Sequence, residues 1–399
     1  MAEASAGAPV RPPGFDAVLF ADSAAYAPLA GLSLLERAVF TLARAGAGRL
    51  LCVGARPDLP LRLPSLPITW VRFDDEGAIT SWSRQGAPIL IGVDASAVVD
   101  RETVEALATA SGAGTLRAAG GVLLWRCEAA ALPPLVRASW ALGCTLERAG
   151  SRATGAEARL LTAARPWDPP PGALCHRADD APNRAAAARA LFARLGRPGE
   201  GWLTRHVDRR ISRALTRLLL PTTVTPNQVT LLSVAIGIGS GLLFATGNQP
   251  AAIAGALLFL FSTIVDGCDG ELARLTFRES RMGERLDLVG DNVVHIVLFG
   301  GIAVGLHRQM PTSRITVLGT LLVAGVLLAM AAVSWSFLLR RATPAQRTLF
   351  ETFASREFAY LLAILTVFGK LEWFLWVAAV GTYAFVAALL LLGARETHG

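Results

Sequence analysis

The sequence has 399 residues, of which 53% are hydrophobic and only 17% are charged, and its mean hydropathy is +0.45. These values exclude an ordinary soluble enzyme, because soluble domains carry about 25% charged residues, and they indicate a chain partly embedded in a membrane. The formal charge of +7 is interpreted as basic bias at a membrane surface, and no nucleic-acid partner is predicted.

The N-terminal half reads as a soluble α/β protein. Residues 1–14 are predicted to be a disordered tail without a signal peptide. Residues 15–195 then alternate apolar strands with helical patterns such as SLLERAVFTLARAG, which predicts a parallel sheet of Rossmann type. The predicted strands are FDAVLFA, RLLCVGA, ITWVRFD, PILIGVD and GTLRAAGGVLLWR.

The order and spacing of these elements resemble sugar-phosphate nucleotidyltransferases, in which the position of Asp94 is a metal-binding aspartate. Those enzymes carry a glycine-rich loop with an arginine after the first strand, and then a lysine. Here the loop reads ADSAAYAPLAG, and the only lysine in the chain is Lys370. We interpret the domain as a degenerate, inactive nucleotidyltransferase fold, retained for stability, partner docking or substrate delivery.

Residues 196–222 are predicted to be a linker and an amphipathic juxtamembrane helix. Val207, Ile211 and Leu215 recur at helical spacing with arginines between them, as is typical of an interfacial helix. Arg205 and Arg209 are candidate ligands of a phosphate on an acceptor substrate. This stretch is similar to an R-x-x-N-R lead-in of fused relatives, although Asp208 stands here at the asparagine position.

Residues 223–399 are dominated by six apolar runs near the length of about 20 residues that a membrane-spanning helix needs. The runs are 227–246, 251–275, 286–306, 315–339, 357–369, which is short, and 373–393. Arginines crowd the segment before the first run, the loop after the second and the loop after the fourth. This asymmetry predicts a multi-pass protein of the cytoplasmic (inner) membrane, with the N-terminal domain and active site on the cytoplasmic side. The five cysteines form no CxxC pair, which favours a reducing compartment without disulfides.

Four aspartates at the cytoplasmic edge of these runs form the strongest motif. Asp266 and Asp269 share one helix face with Gly270, Ala273 and Arg274, whereas Gly283, Asp287 and Asp291 share a face of the next helix. Each ionised group at membrane depth costs about 2.5–3.5 kcal/mol, so a cationic partner is required. Carboxylates without a nearby His or Cys pair suit Mg²⁺ or Mn²⁺, and four can hold two ions.

The string Asp266-x2-Asp269-Gly270-x2-Ala273-Arg274-x8-Gly283-x3-Asp287-x3-Asp291 resembles, position for position, the signature of the CDP-alcohol phosphotransferase family. The resemblance implies six membrane helices, a homodimer, and attack of an acceptor alcohol on the β-phosphorus of a CDP-alcohol, with CMP released. It implies metal binding by Asp266, Asp269 and Asp287, with Asp291 closing the cluster and acting as general base. The implied CDP-alcohol-binding residues are Gly270, Ala273, Arg274, Gly283, and Thr225 and Asn227 of the TPNQVT segment.

The leading hypothesis is therefore a metal-dependent CDP-alcohol phosphotransferase of phospholipid synthesis that uses CDP-diacylglycerol. One alternative keeps the chemistry with polar substrates, such as a CDP-polyol and inositol phosphate, and is bifunctional if the N-terminal domain is active. The other alternative is a non-catalytic membrane scaffold. The sequence leaves the acceptor alcohol open.

Overall fold

The computed structural model describes residues 14–54, 60–111, 114–118, 121–133, 136, 165–196, 201–336, 343–353 and 357–395. The predicted tail therefore lies almost wholly outside the described residues. The chain divides into two units, Met1–Arg194 and Leu195–Gly399.

The N-terminal unit is built on a seven-stranded mixed sheet. Its strands are β1 (Phe15–Ala21), β2 (Ala47–Gly54), β3 (Ile68–Val71), β4 (Ile89–Asp94), β5 (Gly114–Ala118), β6 (Gly121–Glu128) and β7 (Arg165–Pro166), in the spatial order β7-β5-β6-β4-β1-β2-β3. β4, β1, β2 and β3 run parallel, whereas β6 is antiparallel to both β4 and β5. Short strands Pro28–Leu29 and Leu32–Ser33 form one hairpin, and Ala97–Val99 pairs with Cys175–Arg177.

The prediction of one strand for GTLRAAGGVLLWR was wrong, and so was the prediction of a wholly parallel sheet. The segment folds back on itself, so that Leu116 pairs with Leu124 and Ala118 with Gly121. An apolar run with period two does not distinguish one long strand from a hairpin, and the Gly120-Gly121 pair is the sequence signal of the break.

Three described α-helices flank the sheet, namely α1 (Leu34–Arg44), α2 (Glu76–Arg84) and α3 (Arg101–Thr109). A fourth, α4 (Ala181–Ala193), packs against the short strand Cys175–Arg177. The start of α1 is fixed by a capping box, because the Ser33 hydroxyl accepts from the Glu36 amide at 3.2 Å and the Glu36 carboxylate accepts from the Ser33 amide at 2.8 Å. All seven residues of β1 are buried, as expected for a central strand covered on both faces.

The C-terminal unit is helical. A π-helical turn (Thr204–Asp208) leads into α5 (Arg209–Leu219), and the remaining helices are α6 (Pro226–Ala245), α7 (Gln249–Thr276), α8 (Arg281–Gln309), α9 (Ser313–Ser334), α10 (Pro344–Phe353), α11 (Glu357–Val367) and α12 (Leu371–Arg395). Among the described residues, five helices are long and apolar enough to cross a membrane: α6, α7, α8, α9 and α12. The unit is thus a multi-pass membrane domain.

Helix α11 corresponds to the short fifth run of the sequence. Its 11 residues rise about 16 Å, roughly half of a hydrocarbon core about 30 Å thick. The described residues therefore contain five candidate spans, and the sixth predicted span is not confirmed.

Glycines let α6 and α8 approach each other closely. A Cβ atom added to Gly301 would lie 2.1 Å from the carbonyl oxygen of Gly241, and one added to Gly305 would lie 2.0 Å from that of Phe244. These glycines therefore make contacts between helices of one bundle, since only a residue without a side chain allows such backbone proximity.

Candidate active site

The predicted aspartates lie on either side of the turn that joins α7 to α8. Helix α7 ends at Thr276, and Phe277 adopts a left-handed conformation (φ 54°) that stops the helix. Helix α8 starts at Arg281, because the Ser280 hydroxyl caps it by accepting from the Gly283 amide at 3.0 Å. Residues a few turns from this reversal on each helix therefore lie at the same depth.

Three carboxylates converge there. Asp266 and Asp269 from α7 and Asp287 from α8 each offer an oxygen, and these oxygens all lie within 4.8 Å of one another. Asp269 is buried, whereas Asp266 and Asp287 are half-buried. We call these three residues the carboxylate cluster.

Asp291 lies outside the cluster of three. It is exposed and sits one helical turn beyond Asp287, which is a rise of about 6 Å along the axis of α8. The closing of the cluster by the Asp291 carboxylate therefore stays a prediction. The backbone carbonyl oxygen of Asp291 is 2.7 Å from Nδ1 of His295.

The donors of the cluster fit a hard divalent cation. Oδ2 of Asp269 accepts a hydrogen bond from the Thr230 hydroxyl of α6, and its Oδ1 accepts from the Gly270 amide. Oδ1 of Asp287 is buried and has no hydrogen-bond partner among the described residues. Three close carboxylates repel one another unless a cation or protons intervene, and oxygen-only ligands select Mg²⁺ or Mn²⁺ over zinc.

The small residues of the signature border the other predicted ligands. A Cβ atom added to Gly270 would lie 3.1 Å from Nη1 of Arg274, and one added to Gly283 would lie 3.1 Å from Oδ1 of Asn227. The structure thus brings Arg274 beside Gly270 and Asn227 beside Gly283, while Ala273 is half-buried on α7.

Thr225 has a structural role at the start of α6. Its hydroxyl accepts from the Gln228 amide at 3.4 Å, and its own amide donates to Oε1 of Gln228 at 2.9 Å. This capping box fixes the end of α6 that carries Asn227.

Glu271, which the sequence analysis did not single out, clamps the juxtamembrane helix onto α7. The side chain is fully buried, and its Oε1 accepts from Nη1 of Arg209 and from the Ser212 hydroxyl, each at 2.8 Å. Its Oε2 accepts from the Thr216 hydroxyl at 2.8 Å. The sequence signal that could have identified Glu271 is an ionisable residue within an apolar membrane run.

This clamp buries Arg209, Ser212 and Thr216 against α7. Ile211 and Leu218 of α5, and Val207 of the preceding turn, are exposed. An outward apolar face is favourable when the surroundings are lipid rather than water. The two candidate phosphate ligands consequently differ, because Arg209 is buried in its ion pair with Glu271 whereas Arg205 is exposed.

In the N-terminal unit, Asp94 is engaged with its own turn. The side chain is buried at the end of β4 and accepts from the amide and the hydroxyl of Ser96 at 2.8 and 2.7 Å. Burial raises the pKa of Asp94, and the hydrogen bonds from Ser96 oppose that rise.

Comparison with known proteins places a family domain on the membrane unit. Residues 223–393 match the model of the CDP-alcohol phosphatidyltransferase family. The chain is 38% identical over 117 residues to a bifunctional IPC transferase and DIPP synthase of Thermococcus kodakarensis, a match that covers 29% of this chain and 26% of the relative. It is 41% identical over 83 residues to a CDP-diacylglycerol–serine O-phosphatidyltransferase of Mycobacterium leprae, covering 21% of this chain and 26% of the relative.

Each match therefore spans about a quarter of the relative's length. A crystal structure of Mycobacterium tuberculosis phosphatidylinositol phosphate synthase aligns with a TM-score of 0.35 and 20% identity, and covers 44% of this chain and 93% of that one.

Proposed function

We propose that this protein, which carries a CDP-alcohol phosphatidyltransferase domain at residues 223–393, is an integral membrane phosphotransferase of phospholipid synthesis. It transfers the phosphoalcohol part of a CDP-alcohol, a phosphatidyl group when the donor is CDP-diacylglycerol, to the hydroxyl of an acceptor alcohol. The observation that carries the proposal is the convergence of Asp266, Asp269 and Asp287 within 4.8 Å inside that domain.

The carboxylate cluster would hold one or two divalent cations, Mg²⁺ or Mn²⁺. When bound, such ions neutralise negative charge on the pyrophosphate oxygens, which phosphoryl transfer requires. Thr230 supports this role because its hydroxyl donates a hydrogen bond to one oxygen of Asp269, which orients the carboxylate.

The remaining signature residues bind and orient the substrates. Gly270, Ala273 and Gly283 leave room for the nucleotide, and Arg274 and Asn227 reach it from beside them, with Thr225 fixing the position of Asn227. These assignments are supported by the neighbouring positions of Arg274 and Gly270 and of Asn227 and Gly283.

Asp291 acts as the general base. Its exposure, one turn from the cluster, suits a carboxylate that meets an incoming hydroxyl rather than a resident cation. The acceptor oxygen forms a bond to the β-phosphorus while the bond from that phosphorus to the oxygen of CMP breaks. The acceptor's proton passes to Asp291, and CMP departs with the bonding electron pair.

Arg205 and Arg209 are the proposed contacts for a phosphate on the acceptor. Arg205 is exposed and can reach a ligand directly, whereas Arg209 is also committed to Glu271 and holds α5 in place. Arg205 would therefore determine the affinity for the acceptor, and Arg209 would determine the position of α5.

The proposed architecture has six membrane-embedded helices, with α11 as the short fifth, in a homodimer of the cytoplasmic (inner) membrane. The arginine-rich loops support a cytoplasmic location of the N-terminal unit and of the active site. We propose further that the N-terminal unit is an inactive nucleotidyltransferase-like domain of Rossmann type. Its support is the parallel core of the sheet together with the absence of lysine from the sequence before Lys370.

The decisive experiment is to incubate the purified full chain with labelled CDP-diacylglycerol, Mg²⁺ and a panel of acceptors, and to measure CMP release. Inositol phosphate, glycerol phosphate and serine form the panel, and a CDP-polyol replaces the lipid donor in a parallel series. Release with the lipid donor alone supports the proposal, and release with the polar donor alone selects the polar alternative. No release from any pair, with a folded protein, would leave the scaffold hypothesis.

A further inference from the structure

The π-helical turn Thr204–Asp208 carries buried polar atoms that the proposed chemistry does not use. Such turns interrupt α-helical hydrogen bonding and are frequent at functional sites. Thr204 is 6% exposed and Asp208 is 3% exposed, so both side chains are withdrawn from the surface. They lie four residues apart in a turn whose hydrogen bonds span five, which places them on one side of it.

Among the described residues, each of these two side chains has one buried oxygen without a hydrogen-bond partner. Oδ1 of Asp208 accepts from the hydroxyl of Tyr360 on α11. Within the described part of the chain, Oδ2 of Asp208 and Oγ1 of Thr204 have no hydrogen-bond partner. Since the Tyr360 proton is used on Oδ1, the second carboxylate oxygen needs a donor from elsewhere. An unsatisfied buried group of this kind costs about 1–3 kcal/mol, and more when it is charged.

Contacts tie this turn to the elements of the active site. The neighbour of Asp208, Arg209, is bonded to Glu271, which directly follows Gly270 of the signature. On the other side, Phe358 lies on the same helix as Tyr360, and its ring centroid is 5.8 Å from that of His295, one turn beyond Asp291. The carboxylate of Asp208 is thus held between the juxtamembrane segment and α11, and α11 contacts both helices that carry the aspartates.

We propose that Asp208 and Thr204 form a subsite that binds a hydrogen-bond donor of the acceptor alcohol, a hydroxyl or an ammonium group other than the attacking hydroxyl. This proposal rests on the proposed function, because it concerns the acceptor of that reaction. A carboxylate oxygen accepts and never donates when ionised, so the subsite selects acceptors that present a donor and disfavours a phosphate at this point. Arg205 of the same turn is exposed, and it is the group that would receive a phosphate elsewhere on the acceptor.

The test measures acceptor binding without turnover. The full chain, in detergent with Mg²⁺ and CMP, is heated while its tryptophan fluorescence is recorded, and each acceptor is titrated. Serine and ethanolamine present an ammonium group, whereas inositol and glycerol present hydroxyls only, so the two series separate the two kinds of donor. We expect the melting midpoint of the wild type to rise with at least one series, since a ligand that binds the folded state stabilises it.

Asp208→Asn replaces the accepting oxygen by an NH2 group of the same shape. The acceptor concentration that produces half of the shift should increase about tenfold or more, the equivalent of one hydrogen bond to a charged group. Thr204→Val should increase it less, by about threefold, and provides the test if Asp208→Asn fails to fold. Glu372→Gln is the control, because this carboxylate faces Arg314 at 3.8 Å and is remote in sequence from the turn.

Equal titration curves for wild type, Asp208→Asn and Thr204→Val would overturn the subsite. The subsite would also be overturned if Asp208→Asn melted at a higher temperature than the wild type while no acceptor shifted the melting midpoint of the wild type or of either variant. That result would assign the turn a structural role only. Failure of the proposed function looks different, because the wild type would then release no CMP from any CDP-alcohol, whatever the acceptor does to the melting midpoint.

Discussion

Asp287→Asn tests the carboxylate cluster through two effects of opposite sign. In the wild type, oxygens of Asp266 and Asp269 lie within 4.8 Å of an Asp287 oxygen. Two unit charges at this distance repel by about 3.5 kcal/mol at an effective dielectric constant of 20, so Asp287 experiences about 7 kcal/mol of repulsion if all three groups are ionised. Protons and mobile ions relieve most of it, and we expect about 1–2 kcal/mol to remain in the free energy of unfolding.

The substitution should therefore stabilise the protein in the absence of divalent cations and abolish its activity in their presence. In EDTA, the melting midpoint of Asp287→Asn should exceed that of the wild type by about 2–6 °C. In Mg²⁺, the wild type should gain stability and release CMP, whereas the variant should do neither, because one ligand of the cation is lost. Thermal melts and CMP release are measured on the same preparations.

Glu284→Gln provides the matched control, because it removes one negative charge from an exposed position on the same helix, one turn before Asp287. It should leave both the EDTA melting midpoint and CMP release almost unchanged. Near-normal turnover of Asp287→Asn, or a stabilisation by Mg²⁺ as large as that of the wild type, would refute the assignment of the cluster as a metal site.

Four further predictions address the other elements. Asp291→Asn should lower kcat about 100-fold or more while the affinity for the CDP-alcohol changes little, and equal losses in both would make Asp291 chiefly a binding residue. Asp94→Ala should leave transfer from a supplied CDP-alcohol unchanged. If the wild type releases pyrophosphate from CTP and Asp94→Ala does not, the N-terminal unit is active and the prediction is wrong. Glu271→Ala should destabilise the protein by about 3–5 kcal/mol, because it strands the buried Arg209 cation, and an unchanged melting midpoint would contradict the clamp. Gly301→Ala should lower both stability and activity, since the added Cβ would lie 2.1 Å from the backbone of Gly241; normal values for both would show that the two helices can separate at no cost.

Much of the active site was predictable because its residues are close in sequence. Asp266 and Asp269 are joined to Asp287 by one short helix reversal, so the 3.6-residue period on each helix is enough to place them together. The same period puts Asp287 and Asp291 on one face of α8, one helical turn apart. The turn between α7 and α8 decides how far each of them lies from Asp266 and Asp269.

The contacts of the juxtamembrane segment were beyond the reach of sequence reasoning. Its apolar period predicts an interfacial helix, yet a period does not say which polar residues pack against protein. Glu271, 62 residues from Arg209 along the chain, decides this by binding Arg209, Ser212 and Thr216 of α5. The partnership of Asp208 with Tyr360 spans 152 residues and has no local sequence signal at all.

Composition and local periodicity are enough to predict the division into an α/β unit and a membrane unit, the helix faces that carry the aspartates, and the chemistry of their oxygen ligands. These features follow from composition and from periods of two and 3.6 residues, which are local properties of the chain. Long-range packing was needed to show that β6 runs antiparallel, that oxygens of Asp266, Asp269 and Asp287 lie within 4.8 Å of one another, and that Arg209 is tied to Glu271. Each of these depends on which distant segments pack together, and packing is settled by the burial of all elements at once rather than by any single stretch.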